Sequence, residues 1–404
     1  MSEPGDALTG VTVERYVAGG EGLARHDDGR IVFIKGGVPG DRVTASVTAA
    51  RRDWLRAEVV SVEEPSADRI EASCASRRNG CGGCDWAEVG DERQLEFKTG
   101  IVAEALRRTA RIEFVPAMGR SVTRTGYRTS IRVVGDEHGQ VAFRQASSSA
   151  TADARGCEVV EPGLRETLAG LRMTPGLEVS LRGSVATGEL SARWDSRLGS
   201  VEGLAAHAVI GASARITERV GDVDLVVSAG SFFQSGPQAA QLLVESVAAV
   251  APELATATHV LDAYGGIGLF AATVGRAAEM VTVVESSRSA IADAHINLES
   301  RGSAAVVVRS DVAEWRPDAA LARVDVVVAD PARTGLGRPG VGALMRCRPA
   351  VLVLVSCDPV AMARDAALLA AAGYRLERAE VHDLFPGTHH VEVVSRFVPA
   401  GTLA

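Results

Sequence analysis

Five short apolar runs, each followed by a segment with helical periodicity, occupy the chain from His259 onward. They are THVLDAY (258–264), MVTVVES (280–286), AAVVVRSD (304–311), VDVVVADP (324–331) and AVLVLVSC (350–357). Near-continuous Val-rich runs indicate strands buried on both faces, and their alternation with helices predicts a parallel, doubly wound sheet. An amphipathic helix is predicted just before them, over residues 237–252.

The first part of the chain has a different pattern. Residues 11–66 alternate short β-rich runs with Gly, Asp and Pro turns, which is typical of a small β-barrel. Between about residues 126 and 230 there are further short strands, with one predicted helix near 163–172. The sequence therefore predicts an α/β fold class with three domains, namely an OB-like barrel over 1–66, a mixed α+β central domain over 67–236 and a Rossmann-like domain over 237–404.

The charge balance limits the partners of the protein. The 404 residues include 43 Lys and Arg against 51 Asp and Glu, a formal net charge of −8. This argues against a protein that coats nucleic acid by bulk electrostatics, but it leaves local binding open. The first ten residues have neither a basic region nor an apolar core, and no apolar run reaches membrane-spanning length. We therefore expect a cytoplasmic protein that does not contact membranes.

Glycines and acids follow the first three strands of the predicted parallel sheet. Gly265, Gly266 and Gly268 come directly after the first strand, where glycine lets the backbone approach a ligand closely. Glu285 ends the second strand at a spacing that suits the two hydroxyls of an adenosine ribose, and Asp311 after the third strand suits an adenine amino group. The carboxyl ends of parallel strands lie at one edge of the sheet, so these loops predict a site for S-adenosylmethionine.

Candidate catalytic groups follow the later strands. Cys357 stands between an apolar run and Pro359, at the predicted start of a helix whose N-terminus would lower the pKa of a thiol. The alternative is a buried structural cysteine. Asp330 and Arg333 follow the fourth strand, and Glu392 lies near the C-terminus. A thiolate and a carboxylate base suit methylation of uracil C5, which becomes nucleophilic only after addition at C6 and must then lose its proton.

Five short motifs occur together in this chain, in the order SFFQSG, LDAYGGIGLF, VADPARTGL, VSCDP and FPGTHHVE. Their order and spacing resemble the RNA uracil-5 methyltransferase family, and residues 11–66 resemble the TRAM domain, an RNA-binding barrel. The resemblance implies a class I methyltransferase that uses S-adenosylmethionine. The chain departs from the family at Ala332, where a second proline is usual, and at Gly265, where cysteine is frequent.

The resemblance also implies a role for each matching residue. Cys357 would be the nucleophile and Glu392 the base that takes the C5 proton. The residues implied in donor binding are Gln234, Tyr264, Gly266, Glu285, Asp311 and Asp330, and those implied in binding the target base are Gln234, Asp330 and Arg333. Phe233, next to Gln234, could either pack or stack.

Six cysteines in such a chain indicate metal binding or catalysis rather than disulfides. Cys74, Cys81 and Cys84 are close in sequence, and Cys157 lies far downstream. Judged by spacing alone, these four fit a structural zinc ion or a fortuitous group. The family resemblance implies instead that they hold a [4Fe–4S] cluster.

The expected product is 5-methyluridine and the expected partner is RNA. The barrel and the cysteines together look most like the ribosomal-RNA branch of the family, so 23S rRNA is favoured and transfer RNA is second. The alternatives are an RNA-binding factor that kept the methyltransferase shell without activity, and an amino or oxygen methyltransferase. No obligate protein partner is expected.

Overall fold

The computed structural model describes residues 3–145, 148–318 and 323–401. Across these ranges, no helix is both long enough and apolar enough to cross a membrane. The larger sheets are an N-terminal one, a central one and an eight-stranded C-terminal one, and the last carries the candidate site.

The N-terminal sheet consists of β1 (Ala7–Thr12), β2 (Arg15–Tyr16), β3 (Gly22–Arg25), β4 (Ile31–Lys35), β5 (Arg42–Ala50) and β6 (Trp54–Glu64). Its strand order is β1-β5-β6-β4-β3-β2. Alternate residues of β5, Val43, Ala45 and Val47, are buried in a core that belongs to this sheet alone. This is the period-two burial that a half-exposed strand requires, and it confirms the β-rich N-terminal part.

The segment after this sheet crosses to the C-terminal part of the chain. It contains α1 (Ala75–Arg78), α2 (Asp91–Ala105), a π-helical turn (Leu106–Ala110) and β7 (Ala117–Ser121). Val102 and Leu106 are fully buried in the core under the C-terminal sheet. β7 pairs in parallel with the edge strand Tyr374–Asp383. Residues 91–121, which fall within the predicted central domain, thus share a core and a sheet with the C-terminal part.

The central part consists of a six-stranded mixed sheet, a separate two-stranded sheet and one helix. Its elements are β8 (Ser130–Gly135), β9 (Val141–Arg144), β10 (Thr151–Asp153), α3 (Pro162–Gly170), β11 (Arg172–Met173), β12 (Glu178–Gly183), β13 (Leu190–Arg193), β14 (Val201–Glu202) and β15 (Val209–Ile210). Glu161 caps α3 by accepting hydrogen bonds from the backbone of Gly163 and Leu164, and Pro162 occupies the first helical position. A hairpin, β16 (Arg215–Val220) and β17 (Val223–Ser228), then leads into the C-terminal part.

The C-terminal part contains α4 (Pro237–Val250), β18 (His259–Ala263), α5 (Leu269–Ala272), β19 (Met280–Glu285), α6 (Arg288–Asn297), β20 (Ala305–Arg309), β21 (Val326–Ala329), α7 (Gly337–Leu344), β22 (Val351–Ser356), α8 (Pro359–Ala371), β23 (Tyr374–Asp383) and β24 (Glu392–Pro399). The strand order is β20-β19-β18-β21-β22-β24-β23-β7, and the five predicted strands are parallel to one another. The parallel sheet is confirmed, and β24 extends it in the antiparallel direction.

A buried ion pair joins α2 to the end of β23. Lys98 Nζ lies 2.6 Å from Asp383 Oδ1, with side chains 0% and 2% exposed. Burial lowers the pKa of Lys98 and raises the pKa of Asp383, and each charge partly offsets that effect on the other. The pair therefore depends on both partners being present.

We expect Lys98→Met to lower the free energy of unfolding by about 3–5 kcal/mol, because it leaves the Asp383 carboxyl buried without its cation. Adding Asp383→Asn should recover much of this loss, which denaturant unfolding of both variants would measure. As a matched control, Lys35→Met removes an exposed pair with Glu58 and should cost about 1 kcal/mol or less. Equal losses at Lys98 and Lys35 would contradict the argument.

Candidate active site

Cys357 lies at the junction of β22 and α8, as the sequence predicted. Asp358 is the N-cap of α8, and its Oδ1 accepts hydrogen bonds from the backbone N–H groups of Val360 (3.0 Å) and Ala361 (2.7 Å). Pro359 starts the helix with a backbone angle that suits the first turn. The strand and the capped helix therefore hold the half-buried thiol at the carboxyl edge of the sheet.

The pKa of the Cys357 thiol was expected to fall at this helix start, and the structure shows the opposite. Burial and, to a smaller extent, the charges of Glu392 and Asp330 raise the pKa to about 12, and Arg333 only partly offsets them. In addition, the two nearest N–H groups of the helix are already bound to Asp358. The thiol is therefore protonated at neutral pH when no substrate is present.

A buried carboxyl group, Glu392, and a partly buried one, Asp330, lie near the thiol. Glu392 begins β24 and is 4% exposed, and Gln234 Nε2 donates a hydrogen bond to Asp330 Oδ2 at 3.2 Å. Burial raises the pKa of Asp330 to about 7. Burial and the Asp330 charge raise the pKa of Glu392 well above its usual value. Near neutral pH the pair therefore carries less than two full negative charges.

A cavity lies at the glycine-rich turn between β18 and α5. Its lining consists of Phe232, Phe233, Gln234, Tyr264, Gly265, Gly266, Ile267, Leu269, Phe270 and Asp330. Tyr264 and Gly266 have φ angles of 59° and 55°, and a Cβ on Gly266 would meet no atom within 4 Å. The turn thus leaves backbone open towards the cavity.

The chemistry of this cavity fits S-adenosylmethionine. Asp262, fully buried at the end of β18, has one carboxylate oxygen, Oδ1, without a hydrogen-bond partner, and the other accepts from the backbone of Ala271. Glu285 Oε2 accepts from Gly266 N at 3.1 Å, and its Oε1 is bound by the backbone of Ser286 and Ser287. Burial raises the pKa of Asp262 well above its usual value, so the fit rests on Glu285. An anchored carboxylate beside open backbone suits a hydroxyl-bearing ligand.

The structure brings together most of the predicted donor ligands. Four of them line this cavity, which we call the donor cavity: Gln234, Tyr264, Gly266 and Asp330. Glu285 contacts its rim through Gly266. Asp311 is exposed beyond β20 and does not line the cavity, although its charge raises the pKa of Tyr264. These positions agree with a donor site and leave the role of Asp311 a prediction.

A second cavity has Cys357 in its wall. Its lining includes Arg333, Cys357, Asp358, His389 and His390, together with Ala18 and Gly19 from the turn before β3 and with Ile101, Pro359 and Val391. Arg333 is exposed, and its Nη2 lies 3.4 Å from His390 Nε2. Burial and the neighbouring charges of His389 and Arg333 lower the pKa of His390 to about 4, so this imidazole is neutral. The N-terminal sheet therefore reaches the wall of the cavity that holds the thiol.

The four predicted metal ligands lie near one another. Cys74, Cys81, Cys84 and Cys157 are free and partly exposed. Burial and, to a smaller extent, the charges of the other three cysteines raise the pKa of Cys84 to about 12. Within the described ranges, no group of three or more His, Cys, Asp or Glu side chains has the geometry to hold a metal ion. The four thiols thus share one region without the close packing that a single ion needs.

Two features of the site were missed from the sequence. Phe232 is 70% exposed at the donor cavity, whereas Phe233 is 6% exposed, which settles Phe233 as a packing residue. The doubled aromatic before Gln234 could have indicated that one ring faces solvent. The second feature is a contact between Asp85 and His389, 304 residues apart, for which the sequence offers no local signal.

Two family models match parts of the chain. One is the TRAM domain over residues 9–60, and the other is the methyltransferase small domain over residues 222–336. The first match covers most of the N-terminal sheet. The second runs from the hairpin before α4 through the glycine-rich turn to the loop after β21, which contains Asp330 and Arg333.

Relatives match the chain over nearly its whole length. An uncharacterized RNA methyltransferase of Corynebacterium glutamicum is 30% identical and spans 98% of this chain and 97% of its own. Another uncharacterized RNA methyltransferase, from Streptomyces coelicolor, is 32% identical and spans 96% of this chain and 92% of its own. The 23S rRNA (uracil(1939)-C(5))-methyltransferase RlmD of Shewanella baltica is 26% identical and spans 94% of this chain and 93% of its own.

The fold also matches a solved structure. The tRNA (uracil-54, C5)-methyltransferase of Pyrococcus abyssi, in complex with S-adenosyl-L-homocysteine, superposes with a TM-score of 0.72 at 24% identity over 96% of this chain and 99% of that one. At this identity the likeness concerns the fold. From the full-length relatives and the two domain models together, the chain belongs to the family of RNA methyltransferases.

Proposed function

We propose that this protein methylates C5 of a uridine in 23S rRNA, with transfer RNA as the second candidate substrate. The observation that carries the proposal is the placement of Cys357, Asp330 and Glu392. The thiol is close enough to both carboxyl groups for their charges to raise its pKa, and Asp330 also lines the donor cavity. A nucleophile, a base and a methyl donor can therefore meet at one pyrimidine ring.

Cys357 supplies the nucleophile. The Cys357 thiol first loses its proton to solvent. Its Sγ then adds to C6 of uracil, the C5–C6 π electrons move onto C5 and the neighbouring C4 carbonyl oxygen, and C5 becomes able to attack an electrophile. When bound, S-adenosylmethionine supplies an electrophilic methyl group and leaves as the neutral thioether. The target uridine must be extruded from its stack, since C6 has to meet Sγ while C5 faces the donor cavity.

Glu392 supplies the base that ends the reaction. Once C5 carries both the methyl group and its original hydrogen, the Glu392 carboxylate takes that proton, the C5–C6 double bond re-forms, and the bond from C6 to Sγ breaks. The elevated pKa of Glu392 makes it a stronger base than an exposed carboxylate. The same burial shields the ionised form from water, so the group is suited to this one proton transfer.

Asp330, Gln234 and Arg333 bind the base. The hydrogen bond between Gln234 and Asp330 fixes both side chains at the boundary of the donor cavity. A carboxyl group there can accept from or donate to the imide edge of uracil, depending on its protonation. Arg333, exposed at the second cavity beside Cys357, is placed to contact the RNA around the target uridine.

We expect Asp330→Asn to move the pH dependence of kcat as well as to lower it. Because ionised Glu392 is required, kcat should rise with pH as Glu392 loses its proton. Burial and the Asp330 charge raise the pKa of Glu392, so removing that charge should shift this rise to lower pH. Asp311→Asn is the control, since Asp311 does not act on Glu392. A shift to higher pH in Asp330→Asn would contradict the assignment.

The four cysteines are proposed to hold a [4Fe–4S] cluster. A structural zinc ion needs all its sulfur ligands about 2.3 Å from one centre, whereas each thiolate of a cubane binds a different iron, so the sulfurs lie further apart. The support for a shared site is that the other three cysteines lie near enough to Cys84 to raise its pKa by their charges. Iron, sulfide and zinc should be measured on anaerobically purified protein. About four irons per chain are expected; one zinc ion per chain without iron would reverse the assignment.

The decisive experiment for the function is methyl transfer. Labelled S-adenosylmethionine is incubated with the protein and unmodified 23S rRNA or transfer-RNA transcripts, followed by digestion and mass analysis of the nucleosides. The expected result is label in 5-methyluridine from the 23S transcript. Label only in transfer RNA would change the substrate, and label in another nucleoside would overturn the role of Cys357. Donor binding without transfer would indicate an RNA-binding factor.

A further inference from the structure

The loop between β23 and β24 is held by the segment that follows the cysteines. Gly387 N donates to Gln94 Oε1 at 2.7 Å, and Gly387 O accepts from Trp86 N at 2.9 Å. Lys98, further along the same segment, pairs with Asp383 at the start of the loop. This loop leads directly into Glu392, so its conformation is set by residues almost three hundred positions earlier in the chain.

Asp85 makes the most direct of these contacts. Its Oδ1 accepts from the backbone N of His389 at 3.1 Å, and its Oδ2 lies 2.5 Å from His389 Nδ1. The two oxygens of one carboxylate thus hold both the backbone and the ring of the same histidine. Such a two-point contact fixes the orientation of the imidazole as well as its position.

The N-terminal sheet closes over this contact. Trp86 Nε1 donates to Gly20 O at 3.0 Å. A Cβ on Gly20 would lie 2.5 Å from the Cβ of His389 and 3.1 Å from Asp85 Oδ2, and the residue has a φ of 86°. Only glycine therefore allows this close approach. Three parts of the chain, the N-terminal sheet, the cysteine segment and the catalytic loop, meet at Asp85 and His389.

The contact reaches the catalytic thiol through the histidines. The rings of His389 and His390 lie 4.3 Å apart, and both line the cavity that contains Cys357. His390 in turn contacts Arg333 and stands two residues before Glu392. A movement of His389 therefore changes the shape of the second cavity, whose lining also includes Cys357.

We propose that Asp85 is a positioning residue for methyl transfer. It fixes the orientation of His389 and, through His389, the positions of His390 and Arg333 in the wall of the second cavity, which contains Cys357. This role rests on the proposed function. Asp85 itself lines neither of the two cavities, so it acts only through His389 and the loop that carries it. Misplacement of groups around a reacting centre by about 1 Å can slow a reaction by roughly a hundredfold.

The test compares Asp85→Ala, His389→Ala and the double variant in the holoenzyme. We expect each single variant to lower kcat by about tenfold to a hundredfold with an unchanged KM for S-adenosylmethionine. The double variant should be no slower than the slower single variant, because both changes break one contact. RNA containing 5-fluorouridine should trap the covalent complex, because fluorine at C5 cannot be removed as a proton. The rate at which this complex forms should fall by the same factor in the single variants.

Asp28→Ala is the matched control. Asp28 also pairs with a histidine, with Oδ1 2.9 Å from His26 Nδ1, but it lies in the N-terminal sheet. It should leave kcat unchanged. Iron content and melting temperature of each variant exclude a general loss of structure, and Asp85→Asn replaces Asp85→Ala if the latter does not fold.

An unchanged kcat in folded Asp85→Ala, or independent losses that multiply in the double variant, would overturn the positioning role. A donor KM that rises in parallel with falling thermal stability would show a purely structural effect and would equally reject it. Failure of the wild-type protein to form the covalent complex would instead reject the proposed function itself, and the positioning role with it.

Discussion

Replacing Cys357 with alanine is expected to abolish methyl transfer to RNA, with a loss in kcat on the order of 10⁴-fold or more. Uracil C5 does not react with a methyl donor until a nucleophile has added to C6, and Cys357 is the thiol that lies beside the donor cavity and both carboxyl groups. No other described group in the two cavities is a thiol. Transfer of labelled methyl to the substrate transcript measures the loss.

Cys347→Ala is the matched control for this substitution. Cys347 is fully buried in the core beneath the sheet, ten residues before Cys357, and lines neither cavity. Its removal should lower stability while the folded enzyme keeps its kcat. If Cys357→Ala retained normal transfer, the thiol would not be the nucleophile, and methylation of an amino or hydroxyl group would become the better account.

Replacing Glu392 with glutamine is expected to stop the reaction one step later. The variant should add Cys357 to the base and methylate C5, but it cannot take the C5 proton, so enzyme and RNA stay joined through C6 and Sγ. The predicted result is at most one methyl group per enzyme and a protein–RNA complex that survives denaturing electrophoresis. Turnover should fall on the order of 10³-fold or more.

The substitution is conservative in shape, which makes the test sharp. Glu392 is 4% exposed with a pKa well above its usual value, so a neutral amide of similar size should be tolerated in its place. Glu380→Gln in the neighbouring strand β23 is the control, because Glu380 bonds Ser246 away from the cavities and should leave turnover unchanged. Normal turnover in Glu392→Gln would mean that another group removes the proton.

The sequence by itself determined the parallel sheet and supplied the candidates for the reacting groups. Strands buried on both faces must be almost continuously apolar, so β18, β19, β21 and β22 could be recognised from composition and spacing. The edge strand β20 has the same Val-rich composition, although all of its residues are exposed or only partly buried. The sequence also shows which residues follow each strand, so a thiol, a carboxylate and a glycine-rich turn at strand ends could be identified from the order of residues alone. The beginning of α8 after Cys357 was predictable for the same reason.

Strands at the other end of the sheet were not predictable in this way. β23 has the sequence YRLERAEVHD, in which charged residues alternate with apolar ones, and β7 is AMGRS. β7 forms a strand because its backbone pairs with β23, more than 250 residues away in the chain. Pairing partners at that distance are chosen by packing and not by local propensity.

Only the tertiary structure decided the electrostatics and the linkage of the site. The helix start at Cys357 suggested a lowered thiol pKa, yet burial and two carboxyl groups from distant segments raise it, and both effects depend on what surrounds the thiol in space. Phe232 and Phe233 are adjacent and identical in type, but one is exposed and the other buried. Asp85 meets His389 because three separate segments converge there, and a contact of this kind has no signature in the sequence around either residue.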